Sequence, residues 1–169
     1  MHDVFSEGNS LSGVKAVQWG IDHEAEALKS YCEATQNSVR NSGLWLHECG
    51  YLGASPDGLI GDNIVVEVKC PYRARNKLID TIAQEDKAFC LEVKDSSLFL
   101  KKNHAYYHQI QGQMYLTGRT ECHLVIWSPQ QTVIIIEPRD DVWGENIREL
   151  QAVFKDLILP EILSAHSVK

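Results

Sequence analysis

Two carboxylates and a lysine stand at spacings that suit the hydrolysis of a phosphate ester. Asp57 lies in a Ser-Pro-Asp-Gly turn, and Glu67 and Lys69 follow with one valine between them. Such hydrolysis needs a hard divalent cation held by oxygen ligands, a water that becomes the nucleophile, and positive charge near the developing negative oxygens. Asp57, Glu67 and the backbone carbonyl of Val68 would hold magnesium. Lys69 would orient the water, help it to lose a proton, or neutralise charge on the phosphate, and these three roles stay open.

Each half of this pattern also has an ordinary structural interpretation. Side chains alternate along a strand, so Glu67 and Lys69 point to one face while Val66 and Val68 point to the other. A charge pair on the outward face of a half-exposed sheet is common, and Asp-Gly in a turn often serves conformation alone. Neither half is specific without the other.

An N-terminal helix is predicted to add a third carboxylate, Glu24. Apolar residues recur every three or four positions from about residue 14 to residue 35, which is typical of an amphipathic helix. Glu24 lies three residues after Ile21 and four before Leu28, on or beside the inward face. It would bind the metal directly or through water. The alternative is a flanking glutamate that snorkels to solvent or pairs with a lysine.

A second helix, predicted over 104–117 with Gly118 as its stop, carries two glutamines toward the site. Gln109 stands at the edge of the apolar face, one turn before Gln113. A glutamine can donate to a phosphate and accept from a water or a lysine at once. Glutamine is also a common residue on helix surfaces, and that interpretation stays open.

The elements around these residues predict an α+β sandwich built on one mixed sheet. After the first helix we expect strands over 44–55 and 63–70 that form a hairpin around the Asp57 turn. A further hairpin is predicted from 89–93 and 98–102, and residues 73–87 are a helix or irregular. Apolar runs at 122–127 and 132–137 predict two central strands. A last helix should begin at Asp140 and Asp141 and end near Pro160.

Composition limits the class of protein further. The 169 residues, 44% of them apolar, can bury one ordinary core, so we expect a single domain over 1–169. No stretch approaches the roughly 20 apolar residues of a membrane span, which predicts a soluble intracellular protein without a membrane partner. A net charge of −7 disfavours a nucleic-acid partner globally, although basic residues cluster locally at Arg73, Arg75 and Lys77. The five cysteines are widely spaced and lack a Cys-x-x-Cys pair, so neither disulfides nor a zinc knuckle are expected.

Four short motifs, taken in order, resemble the YqaJ-type viral recombinase or phage lambda exonuclease-like family of PD-(D/E)XK nucleases. They are Trp19-Gly20 with Glu24, then Ser55 to Leu59, Glu67 to Pro71, and Tyr107 to Met114. Each motif is weak alone, and the ordered set is specific. The resemblance covers most of the chain and implies a PD-(D/E)XK core with restriction-endonuclease-like topology. It also implies a magnesium-dependent exonuclease, with manganese as a substitute, that digests one strand of linear duplex DNA from its 5′ end in recombination or repair.

The same resemblance implies roles for particular residues. The carried-over set is Asp57 and Glu67 as metal ligands, Lys69 as the catalytic lysine, Glu24 as the helix-borne acid, Gln109 as the site glutamine, and Arg75 as a phosphate contact. Arg73, from the local basic cluster, and Gln113, one turn after Gln109, are further expected DNA contacts. Relatives that hold an iron–sulfur cluster use four cysteines, three of them near the C-terminus. No cysteine follows Cys122, so no cluster is expected. Implied partners are double-stranded DNA, a single-strand annealing protein and two further copies in a homo-trimer.

One departure from the family pattern concerns the N-terminus. Family members usually carry an arginine and a Thr-Ala-Ser-like turn before the Trp-Gly helix, and the eighteen residues before Trp19 show no such motif. The family's N-terminal segment is therefore expected to be short or missing, which leaves end selection open. Two other functions remain as alternatives: a structure- or site-specific endonuclease of the same fold, and a non-catalytic module that binds DNA or protein.

Overall fold

A four-stranded mixed sheet lies at the centre of the chain in the computed structural model, which describes residues 15–166. Its strands in spatial order are β3 (Gly58–Ile60), β4 (Ile64–Lys69), β7 (Glu121–Ser128) and β8 (Gln131–Pro138). β4 pairs with β7 in parallel, and both outer pairings are antiparallel. Two small antiparallel hairpins accompany the sheet: β1 (Trp45–Leu46) with β2 (Gly53–Ala54), and β5 (Leu91–Lys94) with β6 (Ser97–Leu100).

Helices cover both faces of this sheet. They are α1 (Lys15–Thr35), α2 (Ile79–Glu85), α3 (Ala105–Thr117), α4 (Asn146–Val153) and α5 (Leu159–His166). One apolar core lies between the sheet and α1, and a larger core lies between the opposite face and α2 and α3. The predicted mixed sheet flanked by helices is confirmed. Among the helices described between residues 15 and 166, none has the length and apolar character required to cross a bilayer.

The alternation of side chains along β4 decides which residues face α1 and which face α3. Val66 and Val68 belong to the core under α1, while Val65 belongs to the core on the α3 side. Glu67 and Lys69 share the face of Val65, as the strand period requires. The sequence alone was compatible with an outward, half-exposed position for Glu67 and Lys69. Glu67 is instead buried, because α3 packs over this face of the strand.

The helix predicted over 104–117 is confirmed, and its two ends show why it begins and stops there. The Nδ1 atom of His104 accepts a hydrogen bond from the backbone N–H of Tyr106 and so caps the first turn. Gly118 adopts a φ of 70°, the left-handed conformation common at helix C-termini. The buried face is broader than the expected stripe and includes Gln111 and Gln113, whose amides find partners inside the fold.

The expectation of one long strand over 44–55 is wrong. Residues of this segment fold back on themselves as β1 and β2, because Gly50 takes a φ of 79° in the turn between them. The backbone N–H of His47 donates to the carbonyl of Leu52 and closes this turn. The hairpin partner of β4 is consequently the short strand β3, which begins directly after Asp57.

Two further expectations about the C-terminal half are corrected by the structure. β7 is central as predicted, but β8 is the last strand of the sheet within residues 15–166, with Ile136 on its exposed side. The last helix does not end near Pro160 but continues to His166. A π-helical turn over Phe154–Ile158 precedes the proline, and this wider turn interrupts the regular hydrogen-bond ladder that proline cannot complete.

Gly58→Ala is expected to destabilise the protein by about 2 kcal/mol, because a Cβ atom there would overlap Cγ1 of Val39. Val39 is β-branched and its rotamer is stiff, so it cannot yield easily. Gly20→Ala is the matched control, since a Cβ at this helical position meets open space and should stabilise by up to about 1 kcal/mol. Urea unfolding of both variants measures the difference. Equal midpoints for Gly58→Ala and the unmodified protein would contradict this close packing of β3.

Candidate active site

The predicted carboxylates and lysine meet at the C-terminal end of β4. An Oδ2 atom of Asp57 accepts a hydrogen bond of 2.7 Å from the backbone N–H of Val68. The ammonium of Lys69 donates to Oε1 of Glu67 at 2.5 Å. Glu67 itself is only 2% exposed. The turn before β3 therefore brings Asp57 beside the two charged groups at the end of β4, ten and twelve residues further along the chain.

The short length of β3 explains how Asp57 reaches the neighbouring strand. The register between β3 and β4 runs from Ile60 opposite Ile64 to Gly58 opposite Val66, so Val68 has no partner in β3. The Asp57 carboxylate takes the N–H of Val68 instead. Because the N–H and C=O of one strand residue point to the same side, the Val68 carbonyl faces the side on which Asp57 lies.

Helix α3 supplies two glutamines that hold Glu67 from the other side. Nε2 of Gln109 donates to Oε1 of Glu67 at 2.6 Å, and Nε2 of Gln113 donates to Oε2 at 2.8 Å. With Lys69, three donors converge on one buried carboxylate, and they compensate the cost of placing its charge in the interior. Gln113 is 3% exposed and its contact here is with Glu67, while its expected contact with DNA stays a prediction.

The electrostatics of the site are dominated by carboxylates that repel one another. Burial and then the charge of Glu67 raise the pKa of Asp57 from its ordinary value of 3.8 to about 7, against the lowering effect of the Val68 N–H. The charge of Glu24 adds to the increase. A pair of carboxylates in this condition is stabilised by a cation that neutralises the repulsion.

The donor set fits a hard divalent cation. Asp57, Glu67 and the carbonyl of Val68 offer only oxygen atoms, the ligands that magnesium and manganese prefer. From the described residues, Oε2 of Glu67 accepts one hydrogen bond and keeps capacity for a further interaction. Oε1 of Gln113 is a buried acceptor with no donor in the described part of the chain, so the site also has a place for a hydrogen-bond donor such as a water molecule.

Lys69 is a cation beside the negatively charged carboxylates of Glu67 and Asp57. Burial lowers its pKa, but the charge and hydrogen bond of Glu67 and the charge of Asp57 outweigh that effect and raise the pKa overall. The lysine therefore holds its proton at neutral pH. Among the roles that the sequence left open, this favours orienting a water and neutralising charge over accepting a proton.

Glu24 does not occupy the inward position that the helical period indicated. The residues that α1 buries are Ala27 and Tyr31, and Glu24 is exposed at the rim of a cavity of about 390 Å³. The cavity is lined by Ala16, Val17, Gly20, Ile21, Glu24, Val68, Lys69, Cys70 and Tyr106. Between residues 15 and 166, no three or more His, Cys, Asp or Glu side chains are grouped to hold one ion. The exposed position of Glu24 at the rim favours contact with a metal through water over direct ligation, and both arrangements stay predictions.

The two predicted arginines lie beyond the end of β4 rather than at the carboxylates. Arg73 forms a 2.9 Å ion pair with Asp86 on the surface. The guanidinium of Arg75 stacks 3.9 Å from the centre of the Tyr72 ring and donates to the carbonyl of the same residue. Both follow the strand that carries Glu67 and Lys69, so they lie near the site in the chain without touching its charged groups.

Sequence reasoning missed one residue of the site, Tyr106. Its ring centre lies 5.0 Å from Nζ of Lys69, and it lines the same cavity as Glu24 and Val68. In the sequence, Tyr106 is simply one apolar residue in the periodic pattern of the helix predicted over 104–117. Its distance from Lys69 depends on how α3 crosses β4, which the local pattern does not encode.

A mixed sheet flanked by helices, with an aspartate turn and a Glu-x-Lys strand end side by side, is a PD-(D/E)XK-type core. A family model described as a YqaJ-like viral recombinase domain matches residues 3–120, well over half of the chain. The chain belongs to the YqaJ-like viral recombinase domain family. The matched residues include every carboxylate, lysine and glutamine of the candidate site.

Known proteins of similar sequence and structure carry nuclease names. The chain is 28% identical over 140 residues to the alkaline nuclease of Autographa californica nuclear polyhedrosis virus, covering 73% of this chain and 33% of the viral protein. It is similar to the crystal structure of the alkaline exonuclease LHK-Exo from Laribacter hongkongensis, with a TM-score of 0.67, 30% identity, and coverage of 90% of this chain and 74% of the other. LHK-Exo in complex with dAMP matches with a TM-score of 0.66 and 30% identity over 89% of this chain and 71% of that one. The chain spans about a third of the length of the curated viral relatives it matches.

Proposed function

We propose that this protein is a metal-dependent deoxyribonuclease, an exonuclease that hydrolyses phosphodiester bonds of linear duplex DNA in the 5′ to 3′ direction. The observation that carries the proposal is the convergence of Asp57, Glu67 and Lys69 at the end of β4. The names of the relatives support the same activity, and one of the similar structures is LHK-Exo in complex with dAMP. The biological setting we propose is recombination or repair.

Magnesium is the cofactor we propose, with manganese as a substitute. Asp57, Glu67 and the carbonyl of Val68 would hold the ion, and Glu24 would reach it through water. When bound, a divalent cation of this kind makes water a better nucleophile and neutralises the charge of the phosphate. The repulsion between the like-charged carboxylates of Asp57 and Glu67 is the feature of this chain that supports metal binding.

The chain's own residues have separate tasks in this proposal. Lys69 places an ammonium group in the cavity beside Val68, where it stabilises the negative charge that develops on the phosphate oxygens. Gln109 shares Oε1 of Glu67 with Lys69 and keeps the carboxylate in one orientation. Gln113 holds the other carboxylate oxygen, so Glu67 cannot rotate away from the strand end.

DNA contacts are proposed for Arg73, Arg75 and Gln113. Arg75 presents a guanidinium fixed by the Tyr72 ring, which suits contact with a backbone phosphate. Arg73 would exchange its surface partner Asp86 for a phosphate. A single-strand annealing protein and a ring-shaped homo-trimer are the protein partners that the family implies, and we propose them on that ground alone.

The proposed activity predicts how DNA of different topology is attacked. With magnesium, linear duplex DNA labelled at its 5′ end should lose the label as mononucleotides, while a 3′ label should remain on long products at early times. Covalently closed circular DNA should stay intact because it offers no end. Time courses on denaturing gels, with the same DNA in chelator as control, measure this result.

Other outcomes of that experiment lead to different functions. Nicking of the closed circle would make the protein an endonuclease of the same fold. Early loss of the 3′ label would reverse the proposed direction. DNA binding without cleavage in magnesium or manganese would replace the enzyme with a binding module.

A further inference from the structure

The face of one aromatic ring lies against the lysine of the site. Nζ of Lys69 is 5.0 Å from the centre of the Tyr106 ring, within the range of about 6 Å over which a ring attracts a cation. Both side chains line the cavity that also contains Glu24 and the end of β4. The attraction acts through the ring and not through the phenol oxygen.

Several contacts fix this ring in its place. Tyr106 is in the first turn of α3, and its backbone N–H donates to Nδ1 of His104 at 3.1 Å. The ring of His104 meets the Tyr106 ring edge to face, with 4.6 Å between the centres. Tyr106 also forms the common wall of the 390 Å³ cavity and a second cavity of about 280 Å³ that includes Pro71 and Phe89. The half-buried ring therefore separates the two cavities and is held there by its contacts with His104.

Among residues 15–166, the ammonium of Lys69 donates one hydrogen bond, to Oε1 of Glu67. Lysine is a point charge on a flexible stem of four carbons, so a single partner leaves much of its conformational freedom. Glu67 also receives two glutamine donors, and in the proposed function it shares its charge with a cation. The electrostatic attraction between Glu67 and Lys69 must then weaken, whereas the attraction between the Tyr106 ring and Lys69 does not depend on the charge of Glu67.

We propose that Tyr106 is a positioning residue: the face of its ring holds the Lys69 ammonium toward the cavity while the carboxylates are engaged. The catalytic consequence rests on the proposed nuclease function. The position of the ammonium is independent of that function, because the contact between Lys69 and Tyr106 forms without substrate. This difference allows the two proposals to be tested separately.

Two substitutions at Tyr106 separate the ring from its hydroxyl. Tyr106→Phe keeps the aromatic face and should retain kcat within about twofold, whereas Tyr106→Leu removes it and should lower kcat by about tenfold or more. KM and metal-free DNA affinity should change by less than about threefold in both, since the proposed task is not substrate binding. Tyr115→Leu, the same change at an exposed position of the same helix, is the control and should leave kcat unchanged.

A second measurement works even without cleavage. In NMR spectra of the metal-free protein, the Lys69 side-chain protons next to Nζ should be shifted upfield by the ring current in the unmodified protein and in Tyr106→Phe. In Tyr106→Leu they should return to ordinary lysine positions. If wild-type protein shows this shift but does not cut DNA, the nuclease proposal fails and the contact stands. Full kcat in Tyr106→Leu, equal losses in Phe and Leu variants, or a loss confined to KM would each overturn the positioning role.

Discussion

Lys69→Ala is expected to lower the rate of DNA cleavage by at least about a hundredfold while the protein stays folded. The side chain of Lys69 is 18% exposed and carries the positive charge next to Glu67, so its removal leaves the developing charge on the phosphate without a neutralising partner. Glu67 keeps its two glutamine donors, and for this reason the loss of stability should be about 1 kcal/mol. Initial rates on linear duplex DNA and urea unfolding measure the two effects.

The chain contains its own control for this experiment. Glu92-Val93-Lys94 on β5 repeats the tripeptide of β4, and Lys94 also pairs with the glutamate two residues before it, at 2.7 Å. The side chains of Lys94 and Glu92 are 61% and 35% exposed, against 18% and 3% for Lys69 and Glu67. Lys94→Ala should therefore change the rate by less than about twofold, as exposed pairs contribute little. Equal losses in the two variants would refute the assignment of Lys69.

The repeated tripeptide also shows what the sequence could and could not reveal. Glu-Val-Lys alone does not distinguish β4 from β5, because both are strands and both place their charges on one face. Asp57, in the turn just before β3, made the difference, since the hairpin of β3 and β4 brings it beside Glu67. The fold class and the three charged residues were predictable because their proximity depends on neighbouring strands only.

The burial of Glu67 could not be predicted, because it depends on a helix more than forty residues away in the chain. α3 crosses the strand with Gln109 and Gln113 one turn apart, and this crossing converts an ordinary surface pair into a buried hydrogen-bonded group. Local pattern gives the period of α3 correctly but not its rotation against the sheet. The same limit explains why Tyr106 was not recognised as a site residue.

The position of Glu24 shows a similar limit on α1. The helix was predicted over about 14–35 and is described from Lys15 to Thr35, yet its inward face is set by Ala27 and Tyr31 and not by Ile21, which is 62% exposed. Tyr31 is fixed by a hydrogen bond to His123 on β7, so the orientation of α1 depends on a contact across 92 residues. An error of one position in the face of a helix moves a carboxylate from the interior to the rim.

Asp57→Asn is expected to have opposite effects on activity and on stability. Cleavage should fall at least about a hundredfold because a ligand of the proposed metal is lost. In chelator at pH 8, the free energy of unfolding should rise by about 1–2 kcal/mol, less than the full pKa shift implies, since the carboxyl is only partly buried. Asparagine keeps an oxygen that can accept from the N–H of Val68 and removes the repulsion with Glu67.

The pH dependence of this stability has a definite sign. The pKa of Asp57 is raised from 3.8 to about 7 by burial and by Glu67, so the folded protein binds the proton more tightly than the unfolded chain does. The favourable contribution of Asp57 to the free energy of unfolding is present below about pH 3.8 and is lost as the pH rises to about 7. The increase in the free energy of unfolding caused by Asp57→Asn should therefore be small at pH 4 and complete at pH 8.

Asp86→Asn is the control of opposite sign. The N–H of Ala88 and the hydrogen bond from Arg73 lower the pKa of Asp86, so its charge stabilises the fold and its removal should reduce stability at pH 8. Adding magnesium should stabilise the unmodified protein and Asp86→Asn, but not Asp57→Asn, because binding requires the Asp57 carboxylate in its charged form. If Asp57→Asn lost stability in chelator at pH 8, the Asp57 carboxylate would be a stabilising group, and the repulsion that supports a metal at this site would not exist.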